Sequence, residues 1–147
     1  MSFPLDIIAG AVASHKAYPT CLASLSLAQW AVESAWGGRS PGNNPFGIKH
    51  MVGYPDQIFH THEEIHGQMV PEDLVFAKFP TIADAFTAHA ELIATRPQYE
   101  PAIALLPDVT AYVTALAHVY ATASNYADTL LSIIHTHNLT QYDVAAS

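Results

Sequence analysis

L-A-Q-W-A-V-E-S-A-W-G-G, residues 27–38, is an apolar run that carries one acid near its end and closes on two glycines. Leu25, Ala28, Val32 and Ala35 recur at the spacing of a buried helical stripe, and Gly37-Gly38 predicts the stop. Thr20 is a candidate N-cap for this helix. Glu33 has Gln29 four residues before it and Trp36 three after, so a continued helix places all three on one edge. A carboxyl shielded by an indole at the negative end of a helix dipole is disfavoured as an anion, and a protonated carboxyl can act as a general acid. The same letters also fit an ordinary surface glutamate at a helix end.

The 147 residues suit one domain with a real core, and 1–147 is expected to be a single catalytic unit with its β-part near 50–80. Half of the residues are apolar and only 12% are charged, which indicates a globular chain. The formal net charge of −8 argues against a nucleic-acid partner, which needs a basic face to neutralise phosphates. Nine histidines can offset part of that charge in mild acid, so activity is expected to favour pH below neutrality. The single cysteine, Cys21, reads as a small core residue. Asp6 interrupts the mildly apolar start and no basic residue precedes it, so no secretory signal is expected. No run is long and apolar enough for a membrane span.

Helices are expected over 5–16, from Thr20 to Gly37, from Thr81 onward, and near 98–106, 108–121 and 124–137. Thr81 and Asp84 resemble a capping pair. Residues 38–55 hold most of the punctuation and read as a loop. Ile58, Met69-Val70 and Leu74-Val75-Phe76 suggest short strands around a turn at Gly67. The layout is an α+β, mostly α domain with a cleft between its lobes.

His62-Glu63-Glu64-Ile65-His66 spells H-E-x-x-H, the pattern of zinc peptidases. That chemistry requires a regular helix, so that both imidazoles share a face and the glutamate reaches the metal-bound water. Here Gly67 follows at once and only Ile65 is apolar, so the supposed helix has no face to bury. The histidines, with His50, His60, His135 and His137, read better as solvated imidazoles, and neither metal nor cofactor is expected.

A-Q-W-A-V-E-S-A-W-G (28–37) followed by N-N-P-F-G-I-K (43–49) resembles the A-Q-x-x-x-E-S-x-W-G…N-N-x-F-G-I-K pattern of bacterial β-N-acetylglucosaminidases of glycoside hydrolase family 73. The family includes autolysins, flagellar peptidoglycan hydrolases and phage lysins. Thr61-His62-Glu63 with Gly67 is similar to its T-x-E…G hairpin, and Tyr120-Ala121-Thr122 with Asn125-Tyr126-Ala127 to its Y-A-T-D-P-N-Y-A. Phe79 with T-I-A-D-A-F and the closing S-I-I-H-T-H-N-L-T-Q-Y-D extend the likeness over roughly residues 18–143.

The resemblance implies a lysozyme-like fold: a helical lobe, a small β-hairpin lobe and a groove for a glycan strand. It implies Glu33 as general acid, Glu63 on a hairpin facing the cleft and Tyr120 beside the reacting sugar, as the catalytic set. Gln29, Trp36, Asn44, Phe46, Lys49, Glu64 and Tyr126 make up the expected substrate-binding set. Phe46 fits the core equally well, Lys49 can instead fix its loop, and Tyr126 fits packing with its hydroxyl tied off. Three departures stand out: Ala123-Ser124 replace D-P, Glu64 replaces an aromatic, and Pro80 replaces an arginine. The extra carboxylate at Glu64 is expected either to repel Glu63 or to do its work.

The implied activity is hydrolysis of the β-1,4 bond after N-acetylglucosamine in peptidoglycan by a monomer. The second step is open between Glu63 activating water and attack by the substrate's own acetamido oxygen. A muramidase or lytic transglycosylase on the same fold, a non-catalytic glycan-binding or virion protein, and a zinc peptidase are the alternatives. Without a signal, a route to the wall through phage lysis, a virion or specialised secretion is expected.

Overall fold

The apolar run forms helix α2 (Ala23–Glu33), in which every residue from Ala23 to Ala31 is buried. A helix that is buried all round belongs at the centre of the domain. In the computed structural model, which describes residues 2–121 and 123–143, the other elements gather around it. Helix α1 (Leu5–Ala17) packs on α2 and on α3 (Ile82–Thr95). The short α4 (Glu100–Ile103) leads into α5 (Val109–Tyr120), which packs on α6 (Tyr126–Thr136), and α6 returns to α2. Leu25, Leu27, Phe79, Phe86, Ile93, Tyr112, Leu116 and Leu130 fill the core. Each such side chain removed from water contributes on the order of 2 kcal/mol.

Helix starts follow two different rules. At α3 the expected cap is present: the Thr81 hydroxyl accepts from Asp84 N–H at 3.2 Å and donates to the Asp84 carboxylate at 2.8 Å. At α2 the expected cap is not. The N-cap position is Leu22, which offers no side-chain acceptor. The remote Asp143 carboxylate takes the bond from Ser24 N–H at 2.7 Å instead, and also accepts from the Ser24 hydroxyl. Thr20 contributes its carbonyl, which accepts the buried Tyr112 hydroxyl at 2.7 Å.

The strands are longer than expected. β1 (Asp56–Ile65) and β2 (Gln68–Ala77) pair antiparallel over ten residues each. The turn is His66-Gly67, both with positive φ (51° and 79°), the backbone of a two-residue hairpin loop. Only one face is half-buried, and it alternates through Gln57, Phe59 and Thr61, then Glu72, Leu74 and Phe76. The opposite face is exposed and carries Ile58, Val75 and histidines, which masked the period-two pattern in the sequence. Among the described residues, no helix is long and apolar enough to cross a membrane.

Candidate active site

Helix α2 ends at Glu33 itself, three residues earlier than the edge of Gln29, Glu33 and Trp36 requires. Ala35, Trp36 and Gly37 follow with φ of 50°, 57° and 89°, and the Trp36 N–H reaches the Ala31 carbonyl at 2.9 Å. This tight reversal carries the Trp36 ring against Phe3, Trp30 and His137, at centroid distances of 4.9, 6.3 and 5.3 Å. Trp36 is thus an anchor in an aromatic cluster, and the indole expected to shield Glu33 is not among the residues lining the cavity beside it. Gly37 is required at this corner, since a Cβ there would lie 2.9 Å from the Trp30 ring at a left-handed φ.

Glu33 opens onto a cavity of about 210 Å³ between the helices and the hairpin. Arg39, Pro41, Asn44, Pro45 and Gly47 line it from the loop, and Gln57, Phe59 and Phe76 from the hairpin. Beneath Glu33 runs a file of polar groups. The Tyr126 hydroxyl donates to Glu33 Oε1 at 3.0 Å and accepts from Gln29 Nε2 at 3.1 Å. Gln29 Oε1 faces His89 Nε2 at 2.7 Å, and His89 Nδ1 faces the Ser26 hydroxyl at 3.3 Å. Burial pushes His89 down to about 3, so its ring is neutral. Burial, followed by the Glu33 charge, raises Tyr126 and Tyr120 above the ordinary phenol range, so both keep their protons.

Several expected roles change with this geometry. Gln29 is fully buried, and its amide nitrogen donates to the Tyr126 hydroxyl. Tyr126, named for the substrate-binding set with packing as its alternative, is buried, and its hydroxyl donates to the candidate acid. Tyr120 stacks over it at 6.0 Å, with its hydroxyl 3.5 Å from the Phe46 carbonyl. Thr122, part of the same motif, lies outside the described residues. Phe46 takes the core alternative, with its ring stacked on His89 at 4.2 Å and edge-on to Phe86. Asn44 is buried and holds its loop by donating to the Ile48 and Ala77 carbonyls and accepting from Ile48 N–H. Lys49 is exposed, and its ammonium acts on Glu72 of the hairpin. Arg39, Gln57, Phe59 and Phe76 line the cavity without having been expected there; the last three share the half-buried strand face, whose alternation the apolar residues and histidines of the opposite face hide in the sequence.

Glu63 sits on the hairpin face of Gln57, Phe59 and Phe76, which looks onto the cavity. Glu64, one residue on, points to the other face of the hairpin. The like charge beside Glu63 is Glu72, diagonal to it across the strands. The hydrogen bond that a protonated Glu72 donates to Glu63, with the charge of Glu63, raises Glu72 above the usual carboxylate range, and Lys49 offsets this in part. The same alternation undoes H-E-x-x-H: His62 and Glu63 face opposite ways on a strand, and His66 lies in the turn.

The model of the glucosaminidase family, described as mannosyl-glycoprotein endo-beta-N-acetylglucosaminidase, matches residues 11–139. The chain belongs to the glucosaminidase family. A relative named probable N-acetylmuramidase from Lactococcus lactis is 33% identical over 144 residues, covering 91% of this chain and 32% of its own length. An autolysin of Enterococcus faecalis is 32% identical over 85% of this chain and 18% of its own. The chain thus spans a third or less of these two curated relatives. Among solved structures, the catalytic domain of a Listeria monocytogenes autolysin superposes with a TM-score of 0.77 at 27% identity, covering 97% of this chain and 90% of that one. A glycoside hydrolase domain from Salmonella typhimurium gives 0.68 at 26% identity, covering 89% and 95%. The glucosaminidase fold is the expected lysozyme-like one, mostly helical with a two-stranded β lobe.

Proposed function

We propose that this glucosaminidase domain hydrolyses the β-1,4 bond after N-acetylglucosamine in peptidoglycan glycan strands, with Glu33 as general acid. The observation that carries the reading is the carboxyl of Glu33 at the mouth of the cavity, held from below by the Tyr126 hydroxyl at 3.0 Å. Bond cleavage passes through an oxocarbenium-like state, and an acid must protonate the leaving oxygen. Glu63 is the second carboxylate that shares the cavity-facing surface. It serves by activating water, or stands aside while the substrate's acetamido oxygen attacks. Trp36 and Gln29 support the site through the protein interior, and Arg39 and Phe59 are the side chains best placed to meet a sugar. The domain acts on the cell wall, as a monomer.

The test is digestion of purified sacculi by wild type and Glu33→Gln, with fragments reduced and identified by mass. The amide oxygen of this variant still accepts from Tyr126, so folding is retained while kcat falls by about 10²–10⁴-fold. A Glu33→Gln enzyme within tenfold of wild type would falsify the assignment. The name of the Lactococcus relatives, probable N-acetylmuramidase, favours a second reading, cleavage after N-acetylmuramic acid. The sugar that carries the new reducing end separates the two, and an anhydro end identifies a lytic transglycosylase.

A further inference from the structure

We propose that His89, buried beneath the cavity, is a positioning residue for the hydrolysis. As its Nε2–H tautomer it fixes the Gln29 amide, and Gln29 aims the Tyr126 hydrogen at Glu33. This inference rests on the glycosidase reading above.

An amide has a donating end and an accepting end, and a neutral imidazole has one of each. Gln29 is fully buried, so both of its ends must be satisfied by neighbours. Its Oε1 can only accept, so at 2.7 Å His89 Nε2 must carry the hydrogen. Its Nε2 can only donate, so at 3.1 Å it occupies a lone pair of the Tyr126 oxygen. The Tyr126 hydrogen is then left for Glu33 Oε1. His89 Nδ1 is bare and faces two hydrogen-bearing groups, the Ser26 hydroxyl at 3.3 Å and the Cys21 thiol at 4.0 Å. The Phe46 ring, stacked at 4.2 Å and 17°, holds the imidazole in plane.

The file of groups runs backwards only if the Gln29 amide turns over, exchanging its oxygen and nitrogen. In that order Glu33 donates to Tyr126, Tyr126 to Gln29 Oε1, and Gln29 to a bare His89 Nε2, while Nδ1–H donates to Ser26. The Glu33 proton then points into the protein. In the forward order Oε1 is occupied as an acceptor, and the acid proton resides on Oε2. The tautomer of one buried imidazole therefore decides which oxygen carries the proton to the sugar bridge.

Two experiments test this. In ¹⁵N-labelled wild-type protein, long-range proton–nitrogen correlations of His89 should show Nε2 protonated and Nδ1 bare; an Nδ1–H ring overturns the proposal. Kinetically, His89→Phe keeps the stack on Phe46 and removes both nitrogens. Its kcat on purified glycan strands should fall about tenfold, the worth of one lost hydrogen bond, with KM unchanged within about twofold. In a Tyr126→Phe background the same substitution should cost less than about twofold more, because the link it acts through is already cut. Losses that multiply in the double variant overturn the proposal. Should His89→Phe not fold, Gln29→Met in the same two backgrounds probes the same link. A wild type that releases no saccharide ends sinks the glycosidase reading, and the tautomer measurement still decides the order of the bonds.

Discussion

Lowering the pH from about 7.5 to about 5 is expected to cost the folded domain about 2 kcal/mol through His89 alone. The ring is 1% exposed, and burial lowers it from the ordinary 6.5 to about 3. Its neighbours Ser26, Gln29, Phe46 and Tyr120 bring no negative charge to hold an imidazolium. The unfolded chain binds a proton below about pH 6.5 and the folded chain does not, so stability rises with pH across this window. It is complete above about 6.5 and is lost progressively as pH falls toward about 3. At about pH 5 the unfolded state is favoured by roughly 1.5 pH units times 1.36 kcal/mol, hence about 2 kcal/mol. Urea unfolding of wild type and His89→Phe at both pH values isolates the effect. The surface pairs of His60 with Asp73, at 2.6 Å, and His50 with Asp56, at 3.0 Å, are present in both proteins and cancel in the comparison. Wild type should lose about 2 kcal/mol more than the variant, a midpoint difference of about 1 M urea. Equal losses would refute the buried neutral imidazole. The expected preference of activity for mild acid then works against stability, so initial rates should rise where the half-life shortens.

Gly37→Ala should lower stability by about 1–3 kcal/mol in a thermal melt, because its Cβ meets the Trp30 ring at 2.9 Å and its φ is 89°. Among the hairpin acids, Glu63→Gln is expected to lower the initial rate if Glu63 activates water and to keep it within about twofold if the acetamido oxygen attacks, and Glu64→Gln to leave it unchanged, since only the first shares the cavity face. Glu63 raises Glu72, which on acidification takes up a proton and then donates it in a hydrogen bond to Glu63. Glu72→Gln donates at every pH, so it should keep activity and flatten the pH dependence that this pair contributes. Gln57→Ala cuts bonds of 2.8 Å to the Pro41 carbonyl and 3.0 Å to the Ala77 carbonyl at the hairpin base. The rate should fall if Glu63 takes part in the step and stay within about twofold if the acetamido group alone attacks.

Local grammar was legible where local forces decide. The Thr81–Asp84 cap and the stripe of α3 were readable because cap and helix face are set within four residues. The start of α2 was not, because its capping carboxylate comes from Asp143, more than a hundred residues away. The end of α2 was misplaced for a related reason. The reversal at Ala35–Gly37 is settled by what Trp36 finds to pack on, and Phe3 and His137 come from opposite ends of the described chain. The motif therefore pointed to a carboxyl that opens onto the cavity, but gave it the wrong neighbour. Gln29 and Tyr126 both lie in the file beneath Glu33, but whether a polar residue faces the cavity or the residue in front of it depends on burial that helical spacing alone does not define.

The two carboxylates brought to the cavity stand on supports of different kinds. Glu33 ends a helix buried from Ala23 to Ala31, and its partner Tyr126 is tied through Gln29 and His89 into that same core. Glu63 rides on a hairpin whose strands bond chiefly to one another and are tied at the base to the loop that follows α2, through Ala77 N–H to the Ile48 carbonyl and Asn44 Nδ2 to the Ala77 carbonyl. A two-stranded ribbon is marginal by itself, so the pose of its outer half is cheaply altered while the pose of Glu33 is not. A substrate strand lying on Phe59 and Phe76 would contact the compliant support and the fixed one together. With Glu33 as the proposed acid, proton donation falls to the rigid half of the site, and whatever the hairpin adds depends on how the bound strand sets it.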